Sequence, residues 1–345
     1  MKARYTKRIL KFKVPAGTSR GQLTSKTSYF IILKKGKYTG IGECSIIPNL
    51  SIDDRPDFEE KLQETIQAVN KGNTLPSLSG FPAIRTGIEM AHSSYLDKEL
   101  LGVKGHAYTK AYKPVPINGL VWMGNYQYMK DQINHLISQK YKCIKIKIGS
   151  IDFESELALV KYIREKYSKR IKIRLDANGA FSYEEALDKI AQLSEFSIHS
   201  IEQPIKTRKP DDMRKLRRKS SIPIALDEDI TIASKLSYEE KSLFLFFVKP
   251  RYIVLKPSLI GGFSQVNEWI EIADSLKVRW WMTSALESNV GLNALANWLA
   301  QFNIKLEQGL GTGSLFTNNI QVPIRTNNGF IEMDPKGEWQ KLKTI

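Results

Sequence analysis

The sequence predicts an α/β protein in which a closed parallel barrel follows an α+β region. From about residue 114, short apolar strands alternate with helical stretches, whereas residues 1 to about 112 mix strands and helices without that regular order. Eight strands with intervening helices indicate a closed barrel. An open doubly wound sheet is the alternative, although no Gly-rich phosphate-binding motif follows the first strand.

Local patterns assign the elements in order. In the first region, SYFIILKKGKYTGIGECS predicts two strands with a turn at residues 35–37, DFEEKLQETIQAVNKG a helix ending at Gly72, and FPAIRTGIEMAHSSYLDKEL a helix entered through Pro82. The tail after about residue 316 leaves the alternation, and we expect it to pack on the first region. The predicted barrel strands are VPINGLV, CIKIKIG, KIRLDAN, IHSIEQP, PIALDED, YIVLKPS, RWWMTSA and IKLEQGLG.

Composition excludes several classes of protein. No apolar run approaches the roughly 20 residues of a membrane span, and the N-terminus has no apolar stretch typical of a secretion signal. The two cysteines, Cys44 and Cys143, favour neither a disulfide framework nor a cysteine zinc site, which fits the cytoplasm. The net charge of +16 is dispersed, and its densest block, 206–220, lacks aromatic residues. We therefore expect a small anionic substrate, and neither nucleic acid nor a membrane as partner.

The stretch YKCIKIKIGS alternates strictly and puts Lys145 and Lys147 on one face of a predicted strand. By itself this pattern is typical of a strand with a solvated face. However, a charged residue ends each of six successive strands, at intervals of 29, 26, 25, 29 and 31 residues. In a closed barrel these ends form one ring at the mouth, where barrel enzymes hold their active sites. The ring comprises Lys147, Asp176, Glu202, Asp227, Lys256 and Glu287.

The order of charges in this ring indicates a chemistry. Three carboxylates on adjacent strands form an oxygen site that favours Mg²⁺ over Zn²⁺, and salt bridges to the flanking lysines are the alternative. The two lysines would face each other across the mouth, where a partly desolvated lysine has a lowered pKa and can act as a base. Such an arrangement suits removal of the proton α to a metal-bound carboxylate.

Several of these segments carry a family resemblance. The motifs IKIKIG, LDANGAF, IEQP, ALDED and VLKPSLIGG resemble the barrel of the enolase superfamily, in its muconate-lactonizing enzyme subgroup. The segments TSALESNVGLNALANWLA, QGLGTGSLF and PAGTSRGQLTSK are more particularly similar to its o-succinylbenzoate synthase family. The resemblance implies a modified (β/α)8-type TIM barrel, (β/α)7β, at 113–315. It also implies an α+β capping domain at 1–112, completed by 316–345.

The resemblance also implies an activity and a set of roles. The expected reaction is the Mg²⁺-dependent dehydration of 2-succinyl-6-hydroxy-2,4-cyclohexadiene-1-carboxylate to o-succinylbenzoate, in menaquinone biosynthesis. Lys147 would be the acid/base, Lys256 would stabilise the anionic intermediate, and Lys145 would support Lys147 or contact the carboxylate. The ligands to Mg²⁺, or to Mn²⁺, would be Asp176, Glu202 and Asp227.

Further residues are expected around this centre. Asn178 and Glu228 would support the ligands and the lysines, or be only structural. Arg20 would belong to a capping lid at 15–27 that closes over the substrate, or be an exposed loop arginine. The end of the site that takes the succinyl group would be lined by Ser284, Glu287, Gly311 and Thr312.

Alternative functions remain within and outside the superfamily. N-acylamino acid racemases and dipeptide epimerases use the same two lysines. The epimerases carry an Asp-x-Asp pair after the last barrel strand, where this chain has Gly311-Thr312-Gly313. A noncatalytic anion-binding barrel would not need two opposed lysines, and nucleic-acid binding is the third alternative.

Overall fold

The computed structural model describes residues 1–18, 21–36, 38–96 and 113–340, and the side chains of residues 16–18, 21, 95 and 96 are not described. Arg20, the expected lid residue, lies outside these ranges. Within them, no helix is long and apolar enough to cross a bilayer. Both cysteines are free and buried.

The N-terminal region is an antiparallel sheet with two helices on one face. Its strands are β1 (Lys2–Thr18), β2 (Gly21–Lys35) and β3 (Tyr38–Ser45), in the order β1-β2-β3. The helices are α1 (Phe58–Lys71) and α2 (Pro82–Leu96). Alternate β2 residues such as Ile31 and Leu33 pack against these helices, whereas Phe30 and Ile32 pack on the other face. Both faces of the sheet are therefore buried.

One expectation about this sheet is wrong. Residues 15–27 were expected to form a loop, but the described part of this segment extends the β1–β2 hairpin, with a register shift between Lys11 and Ala16. Strand pairing satisfies the backbone groups of this Gly/Ser/Thr-rich stretch.

The close approach of α2 to β3 depends on two glycines. A Cβ at Gly42 would lie 2.0 Å from the Gly87 carbonyl oxygen, and a Cβ at Gly87 would lie 2.5 Å from Cys44 Sγ. Any side chain at either position would force the helix off the sheet.

Within the described residues, seven parallel strands form the barrel sheet, in the order β11-β10-β9-β8-β7-β6-β5. They are β5 (Gly119–Val121), β6 (Cys143–Lys147), β7 (Lys172–Asp176), β8 (Ser200–Glu202), β9 (Ile224–Leu226), β10 (Tyr252–Leu255) and β11 (Arg279–Met282). The predicted eighth strand, IKLEQGLG, is reduced to two parallel bridges, Ile117–Gln308 and Thr283–Gly309. These bridges close the barrel between its first and last strands.

Helices surround this sheet and bury its outer face. They are α3 (Tyr126–Ser138), α4 (Phe153–Tyr167), α5 (Tyr183–Leu193), α6 (Pro210–Lys219), α7 (Glu228–Ala233), α8 (Tyr238–Val248), α9 (Pro257–Ile260), α10 (Gly262–Ser275) and α11 (Asn289–Leu299). Sequence signals fix several ends. Ser182 with Glu185, and Ser237 with Glu240, form reciprocal capping boxes at the starts of α5 and α8.

The C-terminal tail contacts both regions. Phe316 pairs with Phe12 of β1, and Ile320 and Val322 pack on the face of the N-terminal sheet opposite α1 and α2. The hairpin of β12 (Ile324–Asn327) and β13 (Phe330–Met333) pairs with β4 (Val115–Pro116). The tail thus packs on the first region as expected, while the domain boundaries at 112 and 316 stay predictions.

Candidate active site

The charged residues of the sequence pattern meet at one rim of the barrel. Lys147, Asp176 and Glu202 are the last residues of β6, β7 and β8, and they are register partners across the sheet. Asp227 and Lys256 directly follow β9 and β10. Because parallel strands end at the same edge, residues distant in sequence become neighbours.

The two lysines of β6 point into the barrel. Lys145 is buried and Lys147 is partly buried, whereas the alternate residues Ile144, Ile146 and Ile148 belong to the core under the helices. The lysine face of this strand is therefore not a solvated face.

Lysine ammonium groups hold the carboxylates in this structure. Lys145 Nζ lies 2.6 Å from Glu202 Oε1 and 2.8 Å from Asp176 Oδ2, and Lys147 Nζ lies 2.7 Å from the same Asp176 oxygen. Lys256 Nζ donates to Asp227 Oδ2 at 2.5 Å. The carboxylates expected as metal ligands are therefore the ion-pair partners of these lysines in this structure.

Asn178 links the lysines to a fourth carboxylate. Its Oδ1 accepts from Lys147 Nζ at 2.6 Å, and its Nδ2 donates to Glu228 Oε1 at 2.8 Å. Asn178 has a φ of 45°, a left-handed conformation that asparagine tolerates better than most residues. This backbone turn directs its amide back towards Lys147.

Burial and neighbouring charges shift the pKa values of the carboxyl groups in this network, downward for one and upward for two others. Burial opposes ionisation of Asp176, but Lys145 and Lys147 outweigh it and hold its pKa well below the usual range. Burial and the negative charge of Asp176 raise the pKa of Glu202. Burial and the charge of Asp227 likewise raise the pKa of Glu228.

The lowered lysine pKa expected from the sequence does not occur at Lys256. Burial lowers the pKa of its ammonium group, but Asp227 and Glu228 raise it further than burial lowers it. The same competition, with Asp176 and Glu202 as the dominant partners, raises the pKa of Lys145. Carboxylates, rather than other cations, are the nearest charges to both lysines.

The donor set suits a hard divalent cation. Glu202 Oε2, Asp227 Oδ1 and Glu228 Oε2 are buried and have no hydrogen-bond partner, and buried carboxylate oxygens need a cation or a donor. Within the described part of the chain, no three acidic, His or Cys side chains are arranged to hold a metal as they stand. In this arrangement the ammonium groups of Lys145, Lys147 and Lys256 contact the carboxylates.

A cavity of about 100 Å³ lies directly above this network. Lys147 and Lys256 both line it, and four strand-to-strand steps, from β6 to β10, separate them. Of the expected residues, it is also lined by Lys145, Asn178, Glu228, Ser284, Gly311 and Thr312. A wider groove of about 650 Å³ shares Leu120, Trp122 and Gly311 with it. This groove offers a route from solvent.

Glu287 lies behind the cavity wall. Its side chain is fully buried, and its carboxylate accepts from Ser258 Oγ and Ser284 Oγ, both at 2.7 Å, and from the Ala285 N–H. Thr312 Oγ1 donates to Ser284 Oγ at 2.9 Å. Glu287 therefore orients Ser284 and Thr312 instead of lining the cavity with them.

The N-terminal sheet clamps the segment that carries Ser284. Lys26 Nζ of β2 donates to the Leu286 carbonyl at 3.0 Å, and Ser45 Oγ of β3 donates to the Ala285 carbonyl at 2.9 Å. Glu43 of β3 accepts from the N–H groups of Ser288 and Gly291, at the start of α11. Leu286 itself has a φ of 60°, so the clamp holds a strained residue at the cavity wall.

Sequence reasoning missed the apolar wall of the cavity. Ile47, Pro48 and Leu50 reach it from the connection after β3, and Trp122 follows β5. The strand-end rule that found the charged ring would also have found Trp122. Nothing in the sequence indicated which loop of the first region covers the mouth.

Comparisons with known proteins agree with this geometry. Residues 128–337 match the family model described as enolase C-terminal domain-like. The chain belongs to the enolase superfamily. Within the superfamily, it is 39% identical to an o-succinylbenzoate synthase of Desulfotalea psychrophila, over 96% of this chain and 98% of that one. It therefore belongs to the o-succinylbenzoate synthase family.

Solved structures of the superfamily share the fold. The crystal structure of MenC from Desulfotalea psychrophila superposes with a TM-score of 0.80 at 34% identity, covering 96% of this chain and 99% of that chain. A dipeptide epimerase from Cytophaga hutchinsonii, complexed with Mg and the dipeptide D-Ala-L-Val, has a TM-score of 0.79 at 21% identity, with 99% and 96% covered. The predicted superfamily, barrel and capping sheet are confirmed.

Proposed function

We propose that this chain is an o-succinylbenzoate synthase, a lyase that dehydrates 2-succinyl-6-hydroxy-2,4-cyclohexadiene-1-carboxylate in the cytoplasm, for menaquinone biosynthesis. The observation that carries the proposal is the pair Lys147 and Lys256 on opposite sides of one cavity, with Asp176, Glu202 and Asp227 beneath it. The 39% identity to a synthase over 96% of this chain and 98% of that one supports this choice of substrate.

The two lysines divide the chemistry. Lys147 takes the proton α to the substrate carboxylate and returns a proton to the departing hydroxide, which leaves as water. Removal of this proton and of hydroxide forms the aromatic ring, so no oxidant is required. Lys256 stays protonated and stabilises the anionic intermediate. The raised pKa of Lys256, set by Asp227 and Glu228 against the effect of burial, fits this role.

Asp176, Glu202 and Asp227 would hold Mg²⁺. When bound, the ion supplies Lewis-acid stabilisation of negative charge on the substrate carboxylate. Glu202 Oε2 and Asp227 Oδ1 are buried oxygens without donors, which suits ligation. Lys145 would then turn from Glu202 and Asp176 to the substrate carboxylate or to Lys147. Mn²⁺ also prefers carboxylate oxygen ligands and could bind the same residues.

The far end of the cavity would take the succinyl chain. Ser284 and Thr312 present hydroxyl groups there, held by Glu287. Gly311 adds only backbone, and no larger residue would fit there, since a Cβ at this position would lie 2.6 Å from the Asn118 carbonyl oxygen. These neutral donors suit a carboxylate better than a free amine, which needs an acidic partner.

The test is an assay of both reactions in one preparation. We expect aromatisation of the cyclohexadiene substrate with Mg²⁺, its loss in excess chelator, and its return when Mg²⁺ is restored. The kcat/KM for any dipeptide should be far lower. A dipeptide value equal to or above that for dehydration would overturn the substrate assignment, and full activity in chelator would overturn the metal role.

A racemase of N-acylamino acids is the second candidate. Such a substrate has a carboxylate with an α proton and no free amine, so the same lysines and neutral pocket would accept it. Racemisation of N-succinyl amino acids measured beside dehydration distinguishes a side activity from the main one. Lys256→Ala should abolish exchange of the α proton in one enantiomer, because racemisation needs a base on each face of the substrate.

A further inference from the structure

The end of the barrel opposite the cavity is densely basic. The connections that lead from each barrel helix to the next strand lie at this end, and we call them together the basal face. Five of these seven connections, in the described chain, carry exposed cations, and the exceptions are the ones after α5 and α6. Representative residues, one for each of these five connections, are Lys142, Arg170, Arg251, Lys277 and Lys305, and Lys219 is the exposed last residue of α6.

Few acids balance these charges. Glu195 lies on the connection after α5 and Glu307 on the one after α11, and Glu307 already pairs with Lys172 at 2.5 Å. Glu165 and Asp274 lie in the last turns of α4 and α10. Among the residues that the structure describes, neither Lys219 nor any of the five representative cations has an ion-pair partner. The excess charge is therefore available to an external anion.

Helix dipoles account for only part of this pattern. A cation in a last helical turn is favoured by the carbonyl end of the helix, as Lys219 is. Lys142 and Arg251 instead directly precede strands, where no such preference applies. Their backbones join the sheet beside other basic residues, since the N–H groups of Lys172 and Arg279 donate to the carbonyls of Lys142 and Arg251.

Exposed apolar side chains lie beside this charge. Phe246 and Leu243, one turn apart on α8, are 64% and 66% exposed, and Phe246 is two residues from the basal end of the helix. The neighbouring helix α6 packs on α8 and ends in Arg217, Arg218 and Lys219. Large apolar side chains next to clustered cations are typical of proteins that bind at the lipid interface.

The basal face also has a cleft. It has a volume of about 460 Å³ and lies between the connection that follows α10 and the one that follows α11. Lys277, Arg279 and Lys305 line it, with Trp280 and Phe302 in its wall and Asp274 as the only acid. Three cations around a concave, partly aromatic surface suit an anionic headgroup.

We propose that the basal face docks on an anionic lipid surface, with Phe246 and Leu243 entering the interface. Charge complementarity favours this partner over a second copy, since two basal faces would repel. Exposed Phe246 and Leu243 favour lipid over nucleic acid. The cavity at the other end of the barrel would face away from the lipid and remain open to substrate. This inference replaces the expectation that no membrane takes part.

Vesicle sedimentation tests the proposal directly. Vesicles of phosphatidylcholine and phosphatidylglycerol (3:1) should bind the full chain at low salt, pure phosphatidylcholine vesicles should not, and binding should fall steeply with salt. Lys249 is exposed and lies on the same connection as Arg251. Changing Lys249, Lys277 and Lys305 to Gln should weaken binding about 100-fold. The matched control changes the exposed Lys2, Lys34 and Lys35 of the N-terminal sheet to Gln, and should have little effect.

Phe246→Ser separates lipid insertion from charge alone. It should weaken vesicle binding about 10-fold, and thermal unfolding should show that all variants remain folded. No binding to the anionic vesicles, or equal losses in the basal and control triple variants, would overturn the proposal. So would binding of a DNA duplex that is tighter than vesicle binding and insensitive to Phe246→Ser.

Discussion

Lys147 has two polar contacts that a structural lysine in a strand would not need. Its ammonium group lies between Asp176 and Asn178 at the edge of the cavity. We predict that Lys147→Ala lowers kcat by a factor on the order of 10²–10⁴ or more. Lys147→Arg should not restore it, because a guanidinium stays protonated and cannot serve as a base.

Lys142→Ala is the control for Lys147. It lies just before the same strand but is exposed, so its kcat should match that of the unchanged protein. Steady-state rates at saturating Mg²⁺ make the comparison. Near-normal turnover in Lys147→Ala would refute the role of Lys147 as base.

Glu202 gives the second prediction at the scale of single residues. One of its oxygens accepts from Lys145 and the other has no partner. Glu202→Gln should abolish both Mn²⁺ binding and turnover, because a neutral amide is a weak metal ligand. Electron paramagnetic resonance measures the binding of Mn²⁺. Glu195→Gln, an exposed site outside the ring, should bind normally. Unchanged Mn²⁺ affinity in Glu202→Gln would exclude Glu202 from the ligand set.

At the scale of elements, the start of α11 depends on a carboxylate from another sheet. Glu43 of β3 is fully buried and accepts from Ser288 N–H, Ser288 Oγ and Gly291 N–H at 2.6–3.0 Å. Negative charge at a helix N-terminus is favourable, and here it also satisfies free N–H groups.

We predict that Glu43→Ala lowers the free energy of unfolding by about 3 kcal/mol, because it leaves buried donors unsatisfied. Urea denaturation measures the change. Glu60→Ala, on the exposed face of α1, should cost under about 1 kcal/mol. If both variants lose the same stability, Glu43 does not clamp α11. A KM increase in Glu43→Ala would further indicate that the clamp positions Ser284.

At the scale of the whole molecule, the basal end of the barrel is filled by aromatic and basic side chains. His199 stacks on Tyr252 at 4.9 Å, and Arg174 lies 3.9 Å from the centre of the Trp281 ring. Burial lowers the pKa of His199, and Arg174, Lys172 and Arg279 lower it further, to about 3. His199 is therefore neutral in the folded protein throughout the physiological pH range.

This low pKa predicts a loss of stability in acid. The unfolded chain binds a proton at His199 below pH about 6.5, whereas the folded chain does so only near pH 3, so stability falls as pH falls between these values. The contribution lost from pH 7 to pH 5 is about 2 kcal/mol. In His199→Phe, which keeps a ring on Tyr252, urea denaturation should show a correspondingly smaller fall. An identical fall in both proteins would contradict the assignment.

The ring of charged residues could be predicted because the barrel repeats its geometry. Each strand–helix unit returns the chain to the same edge, so one position per unit defines the mouth. Lys147, Asp176 and Asp227 were found in this way, without any knowledge of contacts. The same repetition explains why the parallel barrel sheet agrees with the prediction.

Other features depend on contacts between units and left no periodic signal. Ile47 and Pro48 cover the cavity, and Glu43 binds the start of α11, through contacts between segments far apart in sequence. Glu287 lies behind Ser284 because of its hydrogen bonds and not because of its place at a strand end. The hairpin at 15–27 was expected to be a loop, since its composition resembles one and only pairing with the neighbouring strand stabilises it.

The sequence by itself determined the barrel, the edge of the barrel that holds the candidate site, and the charged residues at that edge. These features follow from the periodicity within each strand–helix unit. Only the tertiary structure decided how those charges pair and which surface covers them. Lys145 forms ion pairs with Glu202 and Asp176, and Lys256 with Asp227, because buried carboxylates are stabilised by a nearby cation. The basal charge likewise became a surface only when the helix ends were brought together, since its residues are dispersed along the chain.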